Sequence, residues 1–173
     1  LETRVRDSSY WRDVGTLDAY WNANMDLTGV DPYFNLYGVK WPIHTSQVLA
    51  PPAKFIFSVE RPDGLRVGKA LDSLVAPGCI VSGIVRNSIL SYNVVVRSWA
   101  MVDESVILDD VVIGRHCKIK KAIIDKHNSI PPGTEIGFNP NEDRKVFTVQ
   151  PRVIVFGPQG YFKKGQNLAS YGQ

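Results

Sequence analysis

The sequence is short of the features that settle a protein's class quickly. Of its 173 residues only two are cysteine, Cys79 and Cys117. They lie far apart and near no metal-ligand pattern, so the expectation is two buried free thiols in a reducing cytosol. No apolar run is long enough to cross a bilayer, and no charged-then-apolar start marks a secretory leader. A cytoplasmic protein without a membrane partner is expected. The basic excess is small, a net charge of +3, and the basic residues form no long run, which argues against nucleic acid as partner. There is no Gly-x-Gly-x-x-Gly and no comparable glycine-rich loop ahead of basic residues to cradle a phosphate chain. What is present is ordinary globular composition, 44% hydrophobic and 21% charged, enough for one domain with appendages. The first residues, Leu1 to Asp7, read as the middle of a longer chain.

Four stretches can be told apart. In 1–27, Tyr10-Trp11-Arg12-Asp13-Val14-Gly15-Thr16 leads into a helical pattern. Thr16 is the expected N-cap, because its hydroxyl can accept from a free amide of the first turn. Leu17, Tyr20, Trp21 and Met25 recur at helical spacing on one apolar face. Residues 28–73 hold Asp31-Pro32, Trp41-Pro42, Pro51-Pro52 and Pro62-Asp63-Gly64. Prolines remove donors and fix φ, so an irregular linker is expected, with Tyr33, Phe34, Tyr37, Trp41, Phe55 and Phe57 wrapped on a surface.

Residues 74–141 carry a repeat. Every sixth residue from Ile89 (Val95, Met101, Ile107, Ile113, Ile119) is apolar. The count slips by one and resumes at Ile124, Ile130 and Ile136, and upstream Val75 and Val81 keep the step. A six-residue step is one side of a triangular coil: a short strand, a tight corner and one inward side chain per side. The expected fold is therefore a mainly-β left-handed parallel β-helix of three to four coils, each of about 18 residues. Cys79, Asn93, Ser105, Cys117, Asn128 and Thr134 suit corners; Trp99, Val111 and Ile123 do not. Gly114, Gly133 and Gly137 are read as supplying corner conformations. An antiparallel sandwich would need strict alternation and hairpins, whereas doublets such as Val95-Val96 and Ile123-Ile124 dominate. In 142–173, Glu142-Asp143-Arg144-Lys145 reads as a solvated turn, Val146–Val149 and Val153–Phe156 as capping strands, and the remainder as a mobile tail.

Two places could carry chemistry. Asp13 beside Trp11, just ahead of a helix, suits a hard divalent cation with a ring to pack on a sugar; the same residues also suit a plain helix-start turn, with Trp11 in the core and Asp13 paired with Arg12. Arg115, His116, Lys118, Lys120, Lys121, Lys126 and His127 crowd into two coils, with Asp125 the only acid among them, and several could converge on one face as a phosphate clamp or simply coat it. Hexapeptide β-helices also build acyltransferases with a histidine base, so His116 and His127 keep that class open. A purely structural assembly module is a third reading.

The string Tyr10–Thr16, then Asp18-Ala19-Tyr20-Trp21, Asn24–Leu27, Trp41-Pro42-Ile43, Pro51–Phe55 and Ile123–Lys126 leading into Ile130-Pro131-Pro132-Gly133, resembles the C-terminal part of bacterial glucose-1-phosphate adenylyltransferases. The resemblance runs in order through about residue 157. It implies that 1–27 is the end of a nucleotidyltransferase catalytic domain and that the β-helix is a regulatory and oligomerisation domain. It implies ATP, glucose 1-phosphate and Mg²⁺ as partners of the intact enzyme, a role in glycogen or starch synthesis, and a homotetramer. By resemblance Asp13 is a Mg²⁺ ligand, Trp11 lies by the glucose, and Lys126, with Arg115, contacts a phosphorylated allosteric effector. The family's nucleotide-binding part is missing from these residues, so the chain alone is expected to be inactive and to hold no cofactor. Gly157-Pro158-Gln159-Gly160 stands where many relatives have a basic residue, and Lys163-Lys164 follow later.

Overall fold

The computed structural model describes residues 10–39, 42–43, 48–56, 58–61, 64–146, 148–149 and 154–156. Short parallel strands stack into a three-sided prism of about four turns, the left-handed β-helix that the repeat implies. Side 1 is built from Lys54–Phe55, Ile80–Val81, Val95–Val96, Val112–Ile113 and Ser129–Ile130. Side 2 takes Lys69–Leu71, Ile84–Arg86, Met101–Asp103, Lys118–Lys120 and Glu135–Ile136. Side 3 takes Leu74–Val75, Ile89–Leu90, Val106–Ile107 and Ala122–Ile124, and ends on Ile154–Phe156. Two of these strands, Lys54–Phe55 and Lys69–Leu71, lie in the stretch expected to be irregular. The hairpin of Ser58–Arg61 and Gly64–Val67 lies between them.

The coil is shorter than 18 residues. Met101 lies opposite Lys118, and Lys118 opposite Glu135, an offset of 17. Val96, Val102, Ile107, Ile113, Ile119, Ile124, Ile130 and Ile136 fill the interior, all at most 1% exposed. Their steps are six, five, six, six, five, six and six. Ile89, Val95 and Met101 are half-buried, so the unbroken sixfold count from Ile89 is one residue out until Ile107. It still met apolar residues because each strand there is an apolar doublet.

From Leu74 to Ile89 the offset is 15, because Ser82-Gly83 alone join sides 1 and 2 there. In the coils of offset 17 the missing residue is lost at the corner between sides 2 and 3. There a single left-handed residue joins the strands: Asp72, Asn87, Glu104 and Lys121 have φ of 45, 42, 45 and 49°. A serine follows in three of these coils, and the serines form a ladder. Ser88 N donates to Ser73 Oγ (3.1 Å), Ser105 N to Ser88 Oγ (3.0 Å) and Ala122 N to Ser105 Oγ (3.1 Å). The hydroxyls donate in turn to the carbonyls of Leu71, Arg86 and Asp103. The hydroxyl thus serves amides that a two-residue corner leaves unpaired. Gly133 and Gly137 adopt positive φ, as expected of corners. Gly114 does not; its reason is space, since a Cβ would meet Ile130 O at 2.7 Å.

The helix α1 (Leu17–Asp26) begins as expected, with Thr16 Oγ1 accepting from Ala19 N at 3.1 Å. Ten residues are too few to hold a helix alone in water. Leu17, Tyr20, Trp21 and Met25 instead cover Val106 and Ile123 on the outside of side 3. This explains Ile123, the misfit of the repeat: its outward side chain is roofed by a helix. At the far end, Glu142–Lys145 belong to a second helix, α2 (Pro140–Val146), rather than a turn. Asp143 is buried there, and its Oδ2 accepts from Gly137 N at 3.2 Å. Thr148–Val149 pairs antiparallel with Ile154–Phe156, which closes side 3. The tail beyond 156 and Trp41 lie outside the described residues.

Candidate functional site

Side chains of the Tyr10–Thr16 segment stand largely free of the prism. Tyr10 stacks on Phe34, ring centroids 4.9 Å apart. Trp11 is 83% exposed, so it is no core residue. Asp13 does not pair with Arg12: its Oδ1 accepts from Gly15 N at 2.9 Å, a local turn that leaves Oδ2 outward. Neither half of the plain helix-start reading is therefore what the structure shows. The residues present do not make a metal site by themselves. No group of three His, Cys, Asp or Glu side chains that could hold a metal occurs among the described residues. One outward carboxylate can contribute a ligand to Mg²⁺ but cannot complete its octahedral shell.

The crowded basic residues do not converge on one face. Arg115 and His116 stand at the corner between sides 1 and 2, Lys118 and Lys120 on side 2, Lys121 at the corner between sides 2 and 3, and Lys126 and His127 at the corner between sides 3 and 1. Arg115 and Lys126 are thus on different corners of one coil. Several of these cations have acidic partners one coil away. Lys118 Nζ lies 2.8 Å from Glu135 Oε1, Lys121 Nζ 3.4 Å from Glu104 Oε2, and His127 Nδ1 3.3 Å from Asp110 Oδ2. Such pairs are exposed and contribute little stability. All three lie at the 17-residue offset, which is the signal that sequence reading missed when it counted Asp125 as the only acid. Lys126 and Arg115 have no ion-pair or hydrogen-bonding side-chain partner among the described residues. The Lys126 corner is stiff: its amide donates to Asp125 Oδ1 (2.8 Å), and Asn128 Nδ2 donates to Asp125 O (2.7 Å).

Residues 51–156 match the family described as GlmU-like, C-terminal hexapeptide. The chain belongs to this family. It is also similar to curated glucose-1-phosphate adenylyltransferases. That of Methylococcus capsulatus is 57% identical over 148 residues, covering 85% of this chain and 34% of the relative. That of Dechloromonas aromatica is 55% identical over 146 residues, covering 84% and 32%. That of an Anaeromyxobacter species is 50% identical over 155 residues, covering 89% and 37%. The chain spans about a third of the length of the relatives it matches, at their C-terminal part. No described helix is long and apolar enough to cross a membrane.

Proposed function

We propose that this chain is the β-helical C-terminal part of a glucose-1-phosphate adenylyltransferase, the enzyme that joins ATP and α-D-glucose 1-phosphate into ADP-glucose and pyrophosphate in the cytoplasm, for glycogen or starch synthesis. The observation that carries the reading is the extent of the similarity: at 50–57% identity it covers 81% or more of the chain in these and other relatives, more than the hexapeptide match alone. In this role the chain supplies no chemistry by itself. Nucleotidyl transfer needs a metal and several cations gathered around the phosphates, and Asp13 offers one carboxylate. Asp13 would complete a Mg²⁺ shell, and Trp11 a sugar site, together with residues of an upstream catalytic part. The prism would serve regulation and assembly into a homotetramer, with Lys126 as a contact for a phosphorylated effector. The test is to compare the purified chain with the same chain joined to its full reading frame. ADP-glucose synthesis by the long form only, as a tetramer in light scattering, is expected. Synthesis by the short chain, or none by the long form, overturns the reading.

The His127–Asp110 pair favours one second reading, a hexapeptide acyltransferase, because a carboxylate beside a histidine is what a general base requires. Binding of coenzyme A by calorimetry, lost in His127→Ala, would select it.

A further inference from the structure

The corner between sides 1 and 2 has the same left-handed third position as the corner between sides 3 and 1, but fills it with large aromatic residues. Its left-handed residues are Trp99, His116 and Gly133, with φ of 61, 59 and 76°. A bulky aromatic residue in this conformation is an outlier, and such outliers persist only where their surroundings hold them. Here the holding groups are visible. The indole of Trp99 and the imidazole of His116 stack with centroids 5.0 Å apart and planes 6° from parallel. The Arg66 guanidinium lies 5.2 Å from the indole centroid, and its Nε donates to Ser98 Oγ at 3.0 Å. With His116 covering one indole face, the guanidinium takes the other. Indole and imidazole thus stack on successive coils, at roughly the strand spacing of about 4.8 Å, with the guanidinium reaching the indole from the hairpin between Lys54–Phe55 and Lys69–Leu71.

The next place in the column belongs to Gly133, which has no side chain, and a Cβ there would meet nothing within 4 Å. The corner backbone repeats regularly at this rung: His116 N bonds to Ser98 O and Gly133 N to Arg115 O. The outer face of His116, an exposed residue, thus looks onto an open slot. Arg115, the residue before His116 at this corner, is exposed and has no ion-pair partner among the described residues. Glu135, on the next strand of side 2, is bonded to Lys118.

We propose that this corner is a binding site for a flat aromatic anion, with the ring stacked on His116 in the open slot over Gly133 and the phosphate or carboxylate on Arg115. The ring supplies a face to the imidazole, as bases do on aromatic side chains, and a planar guanidinium suits a phosphate or carboxylate. The site is separate from the Lys126 corner and does not depend on the enzyme reading above.

The test uses the chain as it stands and 1-naphthyl phosphate as probe, by calorimetry and tryptophan emission. Inorganic phosphate (charge alone) and 1-naphthol (ring alone) should each bind at least roughly tenfold more weakly. Gly133→Asn fills the slot with a residue that tolerates positive φ, and it should weaken probe binding roughly tenfold with an unchanged melting midpoint. His116→Ala should do the same, Arg115→Ala should reduce the probe to the level of 1-naphthol, and Lys126→Ala should change nothing. Probe binding no tighter than that of phosphate, or binding that survives Gly133→Asn, overturns the proposal. So does loss of binding in Lys126→Ala.

Discussion

The indole Nε1 of Trp21 donates a 2.8 Å hydrogen bond to the carbonyl of Glu104, 83 residues away. Glu104 is one of the left-handed residues at the corner between sides 2 and 3, and its amide bonds in turn to Arg86 O at 3.1 Å. A ten-residue helix that buries no residue fully is thereby pinned to a corner the prism holds rigid. The segment carrying Asp13 enters this helix at Leu17, four residues on, so its placement follows from the same anchor.

Removing only that anchor tests it. Trp21→Phe keeps a ring over Val106 and Ile123 but loses the donor, a loss of about 1 kcal/mol for a partly buried bond. Amide exchange over 17–26 is expected to speed up roughly fivefold, with exchange in the inner strands unchanged. Equal acceleration in both places would mean that helix and prism open as one unit.

The serine ladder is a stability element with a directional prediction. Ser105 is fully buried, and its hydroxyl both accepts from Ala122 N and donates to Asp103 O. Ser105→Ala leaves a buried amide without its partner, a penalty of about 1–3 kcal/mol. Urea unfolding should show the midpoint fall with an unchanged slope. Ser73, nearer the surface at the first coil, should cost less when changed to alanine.

The 17-residue coil and an 18-residue coil predict different cavities. Ile107 is buried and inward, whereas Ile89 is half-buried. Ile107→Ala should destabilise by about 2–5 kcal/mol, and Ile89→Ala by well under half of that. Equal losses in chemical denaturation would restore the sixfold frame from Ile89.

The period, the prism and α1 were legible because they rest on apolar spacing, the strongest signal a single sequence carries. Thr16 and the face of Leu17, Tyr20, Trp21 and Met25 needed no tertiary information. The coil length was not legible. Ile89-Leu90, Val95-Val96 and Met101-Val102 are apolar at both positions, so two frames fit equally until the serine corner decides between them. The helix around Asp143 was hidden because four charged residues look solvated, and it is the backbone of Gly137 and Asn139 that gives the Asp143 carboxyl partners where it is buried. The site residues were the least legible. Arg115 and Lys126 are near in sequence but on different corners, while His127 and Asp110 are far in sequence but adjacent in space.

Burial raises the carboxyl pKa of Asp143 above its ordinary value of 3.8, with the nearby Glu142 charge adding to the rise and the Gly137 and Asn139 backbone bonds opposing it. A carboxyl whose folded value is raised favours folding when protonated. Its contribution is complete below the unfolded value and is lost as pH rises through the folded one. At neutral pH the ionised form is therefore a burden, partly relieved by the Gly137 bond. Asp143→Asn keeps an oxygen for that bond and should melt at or above the native temperature at pH 7. The advantage should disappear on acidification past the unfolded value. A lower melting point at pH 7 would show that the charge itself holds α2 in place.

The two thiols provide a check on the whole prism. Cys79 and Cys117 are free, fully buried, and donate to Ser91 O (2.9 Å) and Pro131 O (3.0 Å). Burial raises both thiol pKa values above the ordinary 9.0, against backbone hydrogen bonds that lower them. The thiolate is the reactive species, so both groups should be inert in the native state. Ellman's reagent at pH 8 is expected to label neither within minutes and both at once in guanidinium. Because the folded values are raised, native stability should be complete below pH 9 and fall as pH climbs toward the folded values, where the unfolded chain gains by ionising its thiols. Since the two cysteines line the prism at different coils, labelling of Cys79 before Cys117 at intermediate denaturant would mean that the first coils open before the last.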